Sequence, residues 1–384
     1  MDVTGRSLVW IIDGALSLQM HKAARVCPAM VLSKLGWDVT MITSGVPSED
    51  DNGTINFIEL AWPKVYMLGP LIYHMAAVYQ IMSGRIRCDV VMFQNEYAPL
   101  LLPVALWNKL ANSNKTKVLM DTRSMPMVTE TSRGRFRALF FKLGHWMASH
   151  LPVFQTAITK EMVETVGVPK TQLVGVWPSG VNVEEFASCP SMRNWSGPED
   201  PVRLIYLGVV RPERNLTAVA DAVRLARKDG VNVVFEVVGE GSCQRELEEY
   251  ARSNGNGIIK VSRRVPRKDV PFVLSKADIG ILPFPDLPKM RVSSFIKLFE
   301  YMAAGMPIVA TRIVAHTEVL GNADFAFWAD DATPEALAVA IKNACARKRD
   351  FPKLGSKAQS FAQNWTWEAS GRKLSEALTK VLLS

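Results

Sequence analysis

The sequence predicts an α/β protein of two doubly wound, parallel-sheet domains, and three observations predict it. Short β-branched runs alternate with helical stretches from one end of the chain to the other, a pattern that requires crossover connections and sheets covered on both faces. The runs fall into two similar series, too many strands for one sheet. Between the series lie residues 187–201, rich in Pro, Ser, Gly and Asn and without periodicity, which read as a linker.

Size and composition agree. A chain of 384 residues, 48% hydrophobic and 21% charged, has the length for two cores. The net charge of +8 is spread over both halves and suggests anionic ligands or surfaces without naming one. The five cysteines, Cys27, Cys88, Cys189, Cys243 and Cys345, show no zinc or redox spacing. A reducing, cytoplasmic setting is therefore expected. No basic-then-apolar leader opens the chain: residues 7–12 are too short and Asp13 follows. Asn-x-Ser/Thr matches such as Asn215-Leu216-Thr217 carry little weight in that setting. Residues 65–82 lack Lys, Arg, Asp and Glu and touch the length of a membrane span. They also contain Pro70, His74 and Gln80 and sit where a crossover helix belongs; a buried or surface-resting helix is expected.

Taken in order, the strands of the first series are expected at 7–12, 39–43, 89–94, 117–121, 152–155 and 173–177. Those of the second are expected at 202–207, 231–238, 258–261, 279–283, 307–311 and 325–328. Each is a short apolar run of the kind that a buried parallel strand requires. The domains are then 1–188 and 202–365, with a linker at 189–201 and a last helix at 366–384.

Residues 293–307 carry the least ordinary element. Ser294 is the expected N-cap, and Gly305 followed by Met306-Pro307 the expected stop. The helix between them is apolar all round, as an interior helix is, except for Lys297 and Glu300. A Lys in the first turn opposes the helix dipole. An anion docked at the helix start would remove that conflict, because free N–H groups and Lys297 would both face it. The other reading is an internal pair, since the two residues stand three apart on one face.

Two further loops fall at the carboxyl edge of the second sheet, where open α/β sheets bind ligands. One runs from Gly208 through Arg211 and Arg214 to Asn215, and the other is Gly239-Glu240-Gly241. Helix starts armed with cations, with a glycine turn that permits close backbone approach, suit a diphosphate.

These residues are also where the chain resembles a known family. Tyr206-Leu207-Gly208 with Arg211 and Arg214, then Val238-Gly239-Glu240-Gly241, Ala277-Asp278-Ile279-Gly280-Ile281-Leu282-Pro283 and the run from Lys297 to Thr311 follow one another. In order and spacing they resemble the retaining nucleotide-sugar glycosyltransferases of family 4, which have the GT-B architecture. That architecture has two Rossmann-like domains facing a cleft and a C-terminal helix that crosses back to the first domain. Trp177-Pro178-Ser179-Gly180-Val181-Asn182 and Asn364-Trp365-Thr366-Trp367-Glu368 are similar to family segments before the linker and at the last helix.

The resemblance implies that Glu300 binds the ribose hydroxyls of a nucleotide sugar. Arg214 and Lys297, with Arg211, would neutralise its diphosphate, and the backbone of Ile296, Lys297 and Leu298 would receive phosphate oxygens. Fixed cations are what a leaving group gaining negative charge requires. Gly208, Gly239 and Gly241 would allow close approach, and Gly14 would meet the diphosphate from across the cleft. Asp121 or Arg123 would stand near the reacting sugar, where the family often has His, or else form a strand-end ion pair. No Asp-x-Asp occurs, so no metal is expected, and no cofactor beyond the nucleoside-diphosphate sugar as donor. Val292 occupies the place of the family's first motif Glu.

Between Glu130 and Glu161 the chain has no acidic residue. Arg133, Arg135, Arg137 and Lys142 interleave there with Phe136, Phe140 and Trp146. Such a helix could lie on an anionic membrane or contact the acceptor; it could equally pack its apolar face on the sheet. The expected function is metal-independent glycosyl transfer, with retention, to a glycan or lipid-linked acceptor. The protein would be cytoplasmic or peripheral on the inner membrane face. The alternatives are a non-catalytic GT-B subunit, or a GT-B epimerase or hydrolase, which would need a carboxylate or His dyad that the sequence does not display. A nucleic-acid partner is not expected, since no reading motif accompanies the charge.

Overall fold

A computed structural model describes residues 5–18, 22–46, 54–63, 65, 68–110, 116–127, 131–254 and 257–384. The chain opens with β1 (Ser7–Ile11), α1 (Ala23–Lys34), β2 (Asp38–Thr43), β3 (Asn56–Glu59), α2 (Leu68–Met82) and β4 (Val90–Gln94). It continues with α3 (Ala98–Leu101), α4 (Pro103–Leu110), β5 (Lys117–Thr122), α5 (Ser132–His150), β6 (Phe154–Ala157), α6 (Lys160–Val166) and β7 (Leu173–Val176). Then come α7 (Cys189–Met192), β8 (Val202–Leu207), α8 (Leu216–Lys228), β9 (Val233–Val238), α9 (Gln244–Asn254), β10 (Ile259–Ser262) and α10 (Val270–Ser275). Next are β11 (Ile279–Leu282), α11 (Pro288–Arg291), α12 (Ile296–Ala303), β12 (Ile308–Thr311) and α13 (Val314–Leu320). The chain closes with β13 (Ala326–Ala329), α14 (Pro334–Ala346), α15 (Phe351–Ala362) and α16 (Trp367–Leu383).

The chain divides into two units. Unit 1 comprises Met1–Gly180, Val292–Ser294 and Trp367–Ser384, and unit 2 comprises Val181–Arg291 and Phe295–Thr366. The last helix thus belongs to the first unit.

Unit 1 holds a seven-stranded sheet in the order β3-β2-β1-β4-β5-β6-β7, every pair parallel. Successive side chains of a strand face opposite sides, so β1 feeds two cores. Leu8 and Trp10 pack with α1 and α16 through Val26, Leu32 and Leu374. Val9 and Ile11 pack with α2 to α5 through Tyr73, Leu101, Ala105 and Ala148. Strand β3 was not expected from the sequence: it is a half-exposed edge strand of Asn-Phe-Ile-Glu, and an edge needs no continuous apolar run. Strand β6 starts at Phe154, two residues beyond the expected start, because Pro152 has no N–H to give to a ladder.

Unit 2 holds a six-stranded parallel sheet in the order β10-β9-β8-β11-β12-β13. The order reverses between β8 and β11, and a crevice opens at such a switch point. Gly280 on β11 lets α12 cross: a Cβ there would lie 2.4 Å from the ring of Tyr301. The phenol hydroxyl of Tyr301 accepts the Leu207 N–H at 3.0 Å, tying α12 to the end of β8.

Residues 189–201, expected as a free linker, are built into unit 2. The sequence shows only the turn-forming composition; the anchors are Cys189 in the core, Trp195 against Phe351, Ser196 on Asp278 and one buried cation. Arg193, 7% exposed, donates to the carbonyls of Leu274, Ala277 and Ala304.

Candidate functional site

The crevice of unit 2 is lined by the loops that follow β8, β9 and β11. Directly after β8 comes Gly208, and then Val210, whose N–H bonds to the Glu240 carbonyl at 3.0 Å. A Cβ on Gly239 would lie 1.7 Å from the Gly208 carbonyl oxygen, and one on Gly241 1.9 Å from that of Val210. The close approach that these glycines permit is therefore to the neighbouring loop. Gly239→Ala is expected to destabilise unit 2 by about 3 kcal/mol or more, since the clash is with backbone that cannot swing aside. A melting temperature equal to that of the parent would refute this.

Arg211 is exposed and Arg214 partly buried. The Arg214 guanidinium lies 4.9 Å from the ring centre of Phe284, which belongs to the loop after β11. Its Nε is buried and has no hydrogen-bond partner among the described residues. Asn215 takes the left-handed conformation at φ 58°, which Asn tolerates better than other side chains. Its Nδ2 donates to the Ala332 carbonyl at 2.7 Å and thereby pins the start of α8.

At α12 the sequence expectation needs a correction. The N-cap is Phe295, which makes no side-chain cap. The Ser294 hydroxyl instead accepts the Ser179 N–H at 3.0 Å within unit 1. Phe295 is held by rings, 4.5 Å from Phe284 and 5.2 Å from His316. Burial pushes the His316 imidazole down to about 4, so it is neutral at pH 7. The stop at the other end is as expected, with Gly305 at φ 67°.

Both charges of α12 are paired. Lys297 Nζ donates to Glu300 Oε2 at 2.6 Å, and Arg267, unforeseen from the sequence, bonds the other carboxylate oxygen. The Arg267 guanidinium also reaches Glu185 at 2.7 Å. Glu300 is 1% exposed. Arg267 stands among Arg263, Arg264 and Lys268, a run that reads as solvated surface; only folding shows that one of the four turns inward.

Burial raises the Glu300 carboxyl, and Lys297 and Arg267 more than reverse this, leaving it below its ordinary 4.5. Asp278 behaves alike: burial raises it, but Arg203, at 2.7 and 3.0 Å, and Ser196, at 2.6 Å, leave it below 3.8. A depressed acid contributes stability that is present above its unfolded pKa and is lost as the pH falls through the folded one. Unit 2 is thus expected to lose stability below about pH 4.5, and Asp278→Asn to flatten that acid limb. Circular dichroism melts between pH 6 and 3 measure it; parallel limbs for parent and variant would exclude Asp278 as a source.

In unit 1 the carboxyl edge of the sheet gathers charges that the sequence leaves far apart. Asp121, at the end of β5, is fully buried. Its Oδ1 accepts from Thr156 at 2.8 Å and from the Trp177 indole at 3.0 Å. Arg123 Nε lies 3.8 Å from its other oxygen. The Arg123 guanidinium stacks 3.6 Å above the Trp177 ring and donates to the Trp177 carbonyl at 2.7 Å. Of the two arrangements open in the sequence, the structure forms the strand-end ion pair. Burial raises the Asp121 carboxyl despite Arg123, and it lowers the Arg123 guanidinium to about 9.

Arg25 lies close enough for this pair to feel its charge, and Arg25 in turn feels those of Glu96 and Asp13. His74 Nε2 is 2.8 Å from Asp13 Oδ1, and its Nδ1, 2.6 Å from the Pro70 carbonyl, must carry a proton, since a carbonyl can only accept. Gly14 has φ +79°, and its carbonyl accepts from the Thr43 hydroxyl at 2.9 Å. Val292 packs in unit 1 with Ala157, Ile158 and Met162 at 1% exposure. A Glu there would be an unpaired buried carboxylate.

Helix α5 is capped by Thr131, whose hydroxyl accepts the Gly134 N–H at 3.1 Å. Arg135, Arg137 and Lys142 are exposed, Phe140 is half-buried and stacks 5.8 Å from Phe136, and Trp146 is 61% exposed. The apolar side of α5 is thus only partly on the sheet. The side chain of Arg133 lies outside the described residues.

Comparison with known proteins adds the following. Residues 201–347 match the family described as "Glycosyl transferases group 1". The chain is 28% identical over 181 residues to a phosphatidyl-myo-inositol mannosyltransferase of Mycobacterium leprae, covering 45% of this chain and 45% of that protein. It is 20% identical over 178 residues to the amylovoran biosynthesis glycosyltransferase AmsK of Erwinia amylovora, covering 46% and 42%. It thus spans from about a third to just over half of the length of the curated relatives it matches. Among solved structures, a glycosyltransferase from Rickettsia africae superposes with TM-score 0.71 at 16% identity, covering 98% of both chains. Anabaena Alr3699/HepE in complex with UDP-glucose superposes with TM-score 0.72 at 14% identity, covering 97% and 99%. The two Rossmann-like units have the GT-B fold of these structures.

Proposed function

We propose that this chain is a glycosyltransferase that moves a sugar from a nucleoside-diphosphate sugar to a glycan or lipid-linked acceptor. The observation that carries the reading is the crevice at the β8/β11 switch point. Arg214, beside the ring of Phe284, and the Lys297–Glu300 pair of α12 support the reading, and all lie within the residues that match the group 1 family. In the proposal Lys297 and Arg214, with Arg211 at the exposed rim, neutralise the departing diphosphate. The first-turn backbone of Ile296, Lys297 and Leu298 takes phosphate oxygens, and Glu300 takes the ribose hydroxyls. Glu300 then trades part of its contact with Lys297 for the ligand, while Arg267 keeps it ionised.

Gly208, Gly239 and Gly241 act by shaping the loop wall, and Gly14 by shaping the opening loop of unit 1. Asp121 and Arg123 act as positioning residues, since both are buried in their own network. Transfer proceeds with retention and without a metal or other cofactor, as in the family 4 enzymes that the motifs resemble, and the cations named stand where a metal would. The family match, the activities for which the relatives are named and the GT-B fold support the reading. The cytoplasmic setting belongs to the proposal as well.

One observation favours a second reading, a GT-B subunit without turnover: Val292 sits in an apolar cluster where a donor-binding Glu would be unpaired. Thermal shift against UDP, GDP, ADP, CMP and dTDP, with magnesium and with chelator, separates the two. Saturation at about a hundred times Kd adds roughly 2.7 kcal/mol to stability. A shift with one diphosphate, unchanged by chelator and lost in Lys297→Ala, is expected. No shift with any of them would transfer the conclusion to the non-catalytic subunit.

A further inference from the structure

Of the large hydrophobic side chains that are exposed, most lie between Val65 and Trp146 in unit 1, and few elsewhere. Helix α2 accounts for the largest share. It carries no charged residue and is apolar on both sides: Tyr73, Ala77, Val78 and Ile81 pack on the sheet. Leu68, Leu71, Ile72, Met75, Tyr79 and Met82 form an outward stripe at helical spacing, each at least 36% exposed. A helix in water has no reason to be apolar on its outer side.

Helices α2, α4 and α5 cover the same face of the sheet, since their inner residues join one core with Val9, Phe93 and Met120. Their outer sides therefore form one surface. Trp107 on α4, at 49% exposure, and Phe136, Leu139 and Trp146 on α5 extend the stripe. The charged residues on the three helices are of one sign. None of the three helices contains an acidic residue, and Arg85, Arg87, Arg135, Arg137 and Lys142 are exposed on or next to them. Arg85 lies 5.2 Å from the ring of Tyr79. No described helix is long and apolar enough to cross a membrane.

We infer that the outer face of α2, with the adjoining sides of α4 and α5, docks on an anionic lipid bilayer. Apolar side chains enter the acyl boundary, Tyr and Trp sit at headgroup level, and the arginines and lysine meet lipid phosphates. The single sign of charge decides for this occupant over a second copy of the chain, which would set these cations against their own counterparts. The inference stands on the surface alone and does not need the glycosyl-transfer reading.

The test is co-sedimentation of the full chain with vesicles of phosphatidylglycerol and phosphatidylethanolamine, and with vesicles of phosphatidylcholine alone. The parent is expected to bind the first far better than the second. Ile72→Ser/Met75→Ser/Tyr79→Ser, all at exposed positions, is expected to lower partitioning at least about a hundredfold. Arg85→Glu/Lys142→Glu is expected to lower it at least about tenfold on the anionic vesicles only. Melting temperature and nucleotide-induced shift should match the parent in both variants, which keeps a misfolded variant or a failed donor-site reading distinct from this one. Equal vesicle binding by the triple variant and the parent would overturn the inference. So would a parent that ignores vesicles but forms dimers that the triple variant does not, which would assign the face to a second copy.

Discussion

Glu300→Gln is expected to lower the melting temperature of unit 2 and to abolish its stabilisation by nucleotide. The carboxylate is 1% exposed and lies between Lys297 and Arg267. A glutamine offers one acceptor oxygen and turns an NH2 toward the other cation, so one desolvated charge loses its partner. Breaking a fully buried pair costs about 3–5 kcal/mol. The side chains of Lys297 and Arg267 are 27% and 44% exposed, and water then relieves part of that cost, leaving about 2–3 kcal/mol. For a domain of this size that is a fall of roughly 5–10 °C. Lys297→Ala differs in stability alone: the fold remains, since Arg267 still faces the carboxylate, while the nucleotide shift and turnover are lost. Differential scanning fluorimetry with and without diphosphate, followed by a transfer assay, reads both. If the two variants keep the parent's nucleotide shift and turnover, α12 is not the donor site.

Arg193→Met is expected to cost unit 2 about 3–5 kcal/mol, because it removes the donor shared by three buried carbonyls, and an unsatisfied buried polar group costs about 1–3 kcal/mol. One of those carbonyls, Ala304 at 2.7 Å, is the C-cap of α12. The cation thus sits at the negative end of the helix that carries Lys297 and Glu300, a placement that the helix dipole favours. Arg193→Lys should recover little, since one ammonium cannot span the fan that a guanidinium covers. Chemical denaturation of the variants measures the loss. A midpoint unchanged in Arg193→Met would show that these three bonds do not hold residues 189–201 in place.

These two residues mark where sequence reading succeeds and where it stops. Lys297 and Glu300 are legible because they are alone in an apolar helix, and a charge in an apolar run is conspicuous. Arg193 and Arg267 are not legible, because each stands in a polar neighbourhood where an inward-turned guanidinium looks like any other surface charge. The Asp121–Arg123 pair is half legible. A strand-end Asp with an Arg two residues on suggests either chemistry or an ion pair, and only the Trp177 ring at 3.6 Å selects the pair.

By itself the sequence determined the alternation of strands and helices, the division into two parallel sheets and the glycine stop at Gly305. All of these follow from local rules: periodicity, β-branching and the left-handed conformation that glycine accepts. Tertiary structure decided which cations turn inward, that Val292–Ser294 joins unit 1, and that Gly239 and Gly241 face backbone. It also decided that the outer side of α2 stays bare. Those outcomes depend on which atoms distant parts of the chain bring within a few ångströms, and a pattern read along one dimension carries no term for that distance.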